Sequence, residues 1–195
     1  MLFIKKDVVK KNNPKIIQGG IKMDSEELLI GEKVDKKKKI FFIDQLVVIP
    51  AECISLESQM KNITIDGKHG SLVLSPEDIK NVNEVENLKM VVPYVIYDIE
   101  DGNVTAGMNP IRCRDYFPKY RRRGLTAAEG IALVRRYPTI LKYRDLQLID
   151  SYYHDTERCI ILYMSHDGPK MDYDHINDIY ANKGKFGTPS CRWIL

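Results

Sequence analysis

With 195 residues, 44% hydrophobic and 29% charged, the chain carries enough apolar material for a sizeable core without disulfides or metal. Its 30 basic and 27 acidic side chains leave a formal charge of +3, too balanced to announce a nucleic-acid partner through bulk electrostatics. No apolar stretch approaches the roughly 18 residues that span a bilayer, so no membrane partner is expected, and Lys5, Asp7 and Lys10 interrupt the opening residues, where a signal-peptide core would need an unbroken apolar run.

In chain order, residues 1–39 read as an N-terminal extension or arm and residues 40–195 as a single α+β domain. Within the arm, Asp24 with Glu27 three residues on resembles a capped helix start that Gly31 stops early. The four lysines at 36–39 read as a solvated turn before a strand, since like charges repel and prefer water. Residues 40–49, with Phe41, Phe42, Val47 and Val48, predict a mostly buried strand closed by Pro50. Residues 63–65 and 71–74 read as a hairpin whose loop contains Asp66 and Gly67. Ser75 followed by Pro76 marks a helix start. Residues 91–99 predict a further strand, with Pro93 near its beginning, and Glu100, Asp101, Gly102 and Asn103 a turn.

The clearest element lies near residues 127–137. Thr126 and Glu129 have the spacing of a capping box, in which each side chain satisfies the other's backbone N–H. Between Ala127 and Val134 only Glu129 is charged, so the helix is expected to be covered on several sides. Gly130 inside it costs about 1 kcal/mol relative to alanine, which points to close approach by a neighbour. Arg135 and Arg136 suit the C-terminal dipole, and Pro138 disfavours a helical Tyr137. Residues 146–153 and 158–164 read as two strands, and residues 184–195 as irregular chain ending in an extended segment. Strands mostly follow one another without regular crossover helices. The expected class is therefore α+β, a mostly antiparallel or mixed sheet packed against a few short helices, rather than a doubly wound fold.

Gly124 to Leu133 reads G-L-T-A-A-E-G-I-A-L, followed by R-R-Y-P at 135–138 and I-L-K at 140–142. With V-V-I-P at 47–50, L-E-S-Q-M at 56–60, P-Y-V-I-Y-D-I-E-D-G at 93–102 and G-T-P-S-C at 187–191, the chain resembles an uncharacterised bacterial family known only as a domain of unknown function. The resemblance runs over roughly residues 41–191 and implies a family label without an activity. Members often carry a tryptophan before the tail, where this chain has Tyr173 and Tyr180.

Candidates for chemistry are scattered. Cys191 has Arg192 beside it and His154, His166 and His175 available from elsewhere, which opens a cysteine-nucleophile reading against that of an inert thiol. Glu129 is either a tuned acid or base or simply the capping residue. Asp98, Glu100 and Asp101 suggest a cation site, but the glycine and the twelfth position fail the EF-hand pattern, leaving a solvated hairpin turn. Arg112, Arg114, Arg121, Arg122 and Arg123, with Tyr120, form the densest basic cluster and precede a helix N-terminus, an arrangement suited to phosphate. No glycine-rich phosphate cradle accompanies it. Cys53, Cys113, Cys159 and Cys191 make no C-x-x-C pair, and no short Cys/His spacing suits zinc, so neither metal nor cofactor is expected; free thiols fit a reducing cytoplasm. The leading expectation is a non-catalytic, cytoplasmic module binding a small molecule or a protein. The alternatives are a cysteine-dependent enzyme using Cys191 with a histidine, and phosphate or nucleic-acid binding through residues 112–123.

Overall fold

The computed structural model describes residues 32–35, 40–85, 88–153, 158–175 and 185–192. The helix start read at Asp24, the lysine run at 36–39, His154 and Tyr180 lie outside them. Strand β1 (Glu32–Asp35), from the segment read as an arm, pairs with β2 (Ile40–Val48). Helix α1 (Leu56–Lys61) follows, capped by Ser55. Strands β3 (Thr64–Ile65) and β4 (Lys68–His69) form a tight hairpin, and β5 (Ser71–Leu72) comes next. The two-residue turn has Asp66 at φ 51° and Gly67 at φ 76°, both left-handed, which matches the twist of the strands it joins. This corrects the expected pairing of 63–65 with 71–74: β5 instead runs parallel to a distant strand.

Helix α2 (Pro76–Ile79) has its capping box between Ser75 and Asp78 and leads to β6 (Val82–Glu84) and β7 (Tyr94–Glu100). Helix α3 (Pro110–Tyr116) is capped by Asn109 and continues into a single turn over Phe117–Tyr120. Strand β8 (Arg122–Gly124) leads to α4 (Ala127–Arg136), whose Thr126–Glu129 capping box is formed in both directions. The remaining strands are β9 (Asp145–Tyr153), β10 (Arg158–Ser165), β11 (Gly168–His175), β12 (Phe186–Gly187) and β13 (Ser190–Arg192).

Two sheets result. The first has the order β1-β2-β7-β13-β8 with antiparallel neighbours throughout; the second has β12-β9-β10-β11-β5, mixed because β12 and β5 join in parallel. Strand β6 pairs with the far end of β9. Helix α4 lies between the sheets, its residues sharing one core with Leu46 and Ile99 of the first and Leu148 and Leu162 of the second. On the opposite face of β9 and β10, Ile149, Cys159 and Ile161 pack on Cys113 and Phe117. With both faces covered, β9 is buried along nearly its whole length, whereas an exposed sheet would alternate. The molecule is thus α+β. Among the described residues, no helix is long and apolar enough to cross a membrane.

Candidate functional site

Three segments far apart in sequence meet at one end of the first sheet. Strand β7 ends at Glu100 and turns through Gly102, which has φ 89°. The tail crosses this turn so closely that a Cβ on Gly102 would sit 2.8 Å from the Gly187 carbonyl carbon. Thr105 then ties turn to tail: its Oγ1 donates to Thr188 O at 2.8 Å and accepts from the Thr188 N–H at 2.9 Å. Strand β13 slots between β7 and β8, with Ser190 opposite both Glu100 and Gly124.

Beneath this junction is a pocket of about 300 Å³, at the small end of the range for small-molecule sites. Tyr116, Phe117 and Tyr120 form one wall and Val104 and Thr105 another, with Glu100, Arg122 and Ser190 completing it. Asn109 and Pro110 set the start of α3, which delivers the aromatic wall. The rings of Tyr116 and Tyr120 lie 4.6 Å apart, and Arg121 at φ 54° reverses the chain into β8.

Glu100 is the charged group that this arrangement isolates. It is 3% exposed; its Oε1 accepts from the Val104 N–H at 2.8 Å, and its Oε2 has no hydrogen-bond partner. Burial pushes its carboxyl up to about 7, with Asp101 adding to the rise and the Val104 and Gly102 N–H groups opposing it. The neighbouring cation is engaged elsewhere. Arg122 donates from Nη1 to Asp98 Oδ2 at 2.8 Å, from Nη2 to the Asp98 carbonyl, and from Nε to Ser190 Oγ at 2.9 Å. The expectation of a solvated turn therefore holds for Asp98, half exposed, but not for Glu100 and Asp101, which the tail covers.

The basic cluster divides. Successive residues of a strand point to opposite faces, so Arg122 turns to Asp98 while Arg123 turns to helix α4. There Arg123 grips Glu129 with both nitrogens, Nη1 to Oε2 at 2.7 Å and Nη2 to Oε1 at 2.5 Å. Glu129 Oε2 also accepts from the Thr126 N–H at 2.8 Å, and Tyr94 donates to Oε1 at 3.0 Å. Asp150 lies 3.8 Å from the same guanidinium, beyond hydrogen-bond reach; burial pushes its carboxyl up to about 6 against the pull of Arg123. Burial opposes the charge on Arg123, but its bonds to Glu129 outweigh that and hold it protonated. Arg114 reaches the Ile149 carbonyl, while Arg112 and Arg121 are exposed. The five arginines do not share an anion cradle.

Cys191 is fully buried, and burial drives its thiol up to about 12 despite Arg123. His166 is exposed at the tip of the β10–β11 hairpin and His69 is exposed in β4; neither approaches the condition of a buried partner. His69 bonds Thr64 and His166 bonds Asp167, so neither of these two pairs with Cys191. Tyr173 stacks on Tyr153 at 4.0 Å between centroids. The pocket itself escaped sequence reasoning. Its local signals are E-D-G at 100–102 and, for the aromatic wall, Asn109 before Pro110, the same type of cap as Ser75 before Pro76.

The model of a family of unknown function, DUF5701, matches residues 17–151. The chain belongs to this family. The match takes in β7, the aromatic wall and α4; the tail that closes the pocket follows it. Neither curated proteins nor solved structures give a match.

Proposed function

We propose that the chain is a non-catalytic binding module for a small molecule with an aromatic or aliphatic body, held in the pocket between Tyr116, Tyr120 and Glu100. The carrying observation is a concavity with apolar walls that is also lined by Glu100, a buried carboxylate with one oxygen lacking a partner, the pattern of small-molecule sites. Burial of Cys191 favours binding over cysteine catalysis, and the engagement of Arg122 and Arg123 by carboxylates favours a small organic ligand over nucleic acid. A bacterial, cytoplasmic setting belongs to the same proposal; it rests on the family resemblance and on four unpaired thiols.

Val104 lines the pocket and is 48% exposed, so a larger side chain there fills the cavity without entering the core. Ligand-observed NMR with single-ring fragments (phenol, benzyl alcohol, benzylamine) should show binding to the native chain. The Val104→Trp variant should lose it while keeping the native thermal midpoint. Equal binding by both forms, or none by either, overturns the pocket as the site.

A further inference from the structure

The pocket holds one carboxylate, Glu100, and one cation, Arg122, which is already paired with Asp98. Glu100 Oε2 is buried, lines the pocket through its residue and accepts no hydrogen bond. Four of the five N–H groups of Arg122 go to Asp98 and Ser190, so its charge lowers the Glu100 carboxyl at a distance without bonding it. The remaining titratable groups that act on Glu100 are Asp101, from its own turn, and Tyr116 and Cys113, from α3, and none of them is a cation. An uncompensated buried carboxylate is costly, and the cost is relieved by a proton or by a donor bearing positive charge. The walls suit the second. The faces of Tyr116 and Tyr120 carry the negative side of the ring quadrupole, which attracts ammonium groups.

We infer that the ligand is a primary amine with a small flat body, its ammonium group paired with the Glu100 carboxylate while its body packs between Tyr116, Tyr120 and Val104. This inference rests on the proposed pocket and adds the chemistry of what fills it. Phosphorylated and carboxylate ligands are disfavoured, because they bring a second negative charge beside Glu100 while Arg122 is paired with Asp98.

The carboxyl of Glu100, raised by burial to about 7, gives the inference a pH signature. An amine remains protonated throughout the neutral range, so only Glu100 changes charge. Affinity should rise as pH increases through about 7 and level off above it.

Isothermal titration with benzylamine and phenethylamine, each matched to its neutral alcohol, tests this directly. The amines should bind about ten-fold more tightly than the alcohols above neutral pH, the usual scale of a charge-assisted hydrogen bond. Glu100→Gln keeps an oxygen for the Val104 N–H and removes the charge; it should bring amine and alcohol to the same affinity. If that variant does not fold, carboxyl-carbon NMR of the native chain takes its place: amine binding should move the Glu100 titration to lower pH. Equal binding of amines and alcohols, or amine affinity that rises on acidification, overturns the ammonium inference and leaves the pocket standing. Failure of every probe overturns the pocket reading itself.

Discussion

Arg123 and Glu129 meet where neither side chain has water to fall back on, at 9% and 1% exposure. A carboxylate in that position is tolerated because the guanidinium fork, the Thr126 N–H and the Tyr94 hydroxyl take up its lone pairs. Removing one partner strands the other. Arg123→Met should cost about 3–5 kcal/mol of stability, read as a fall in the urea midpoint. Adding Glu129→Gln to it should return a good part of that loss, because the stranded charge is then gone. If the double variant is no more stable than the single one, the cost comes from lost packing by the arginine stem and not from the ion. Tyr94 reports the same environment: burial and the Glu129 charge both raise its hydroxyl, so it stays a donor at every accessible pH.

At the scale of elements, α4 shows when local signals suffice. Its cap, its apolar body and its stop are all written within a dozen residues, and each was readable before any packing was known. Gly130 is the same case in finer detail. A Cβ there would sit 2.5 Å from both terminal carbons of Leu148 on β9, so the helix can approach the second sheet only without one. Gly130→Ala should therefore lower the thermal midpoint although alanine is the better helix former, with overpacking of about 1–3 kcal/mol outweighing a propensity gain of about 1. Leu148→Ala in the same chain should make the Gly130→Ala change less damaging, since the space it needs is then open. Other elements were illegible for physical reasons. Strand β11 carries Pro169, Lys170, Asp172 and Asp174, because its pairing with β10 comes from the tight turn at His166 and Asp167 rather than from an apolar pattern. The hairpin after α1 was misassigned because Asp66 and Gly67 close it in two residues, sending Ser71 and Leu72 to a partner about a hundred residues away. The arginines at 121–123 read as one patch because sequence adjacency hides the alternation of a strand.

At the scale of the molecule, several of the described carboxylates feel burial more strongly than any cation beside them. Glu84 and Glu100 are both raised to about 7 and Asp150 to about 6, in each case chiefly by burial, and Asp145 and Asp172 move in the same direction. From about 4, where such groups titrate in an unfolded chain, up to about 7, the folded chain holds protons that the unfolded one has released. Stability from these groups therefore falls as pH rises through that window and is greatest at its acidic end. Urea midpoints should drop between about pH 5 and about pH 8, and Glu84→Gln, which removes one of the titrations, should flatten the curve. A midpoint that climbs over the same range would mean that the carboxylates are solvated or paired. The α+β class was legible because strand and helix signals are local. The pocket was not, since its parts come from residues 100–105, 116–122 and 190 and only the sheet order brings them together.

That order has a temporal side. Strand β13 fills an interior place between β7 and β8, although those two leave the ribosome well before it. Synthesis proceeds from the N-terminus, so β7 and β8 must wait with their facing edges unsatisfied until residues 190–192 arrive. The nascent chain can pair β9, β10 and β11 of its second sheet first, but the first sheet can be completed only by a late insertion, and any message truncated before that point yields a protein with an open seam.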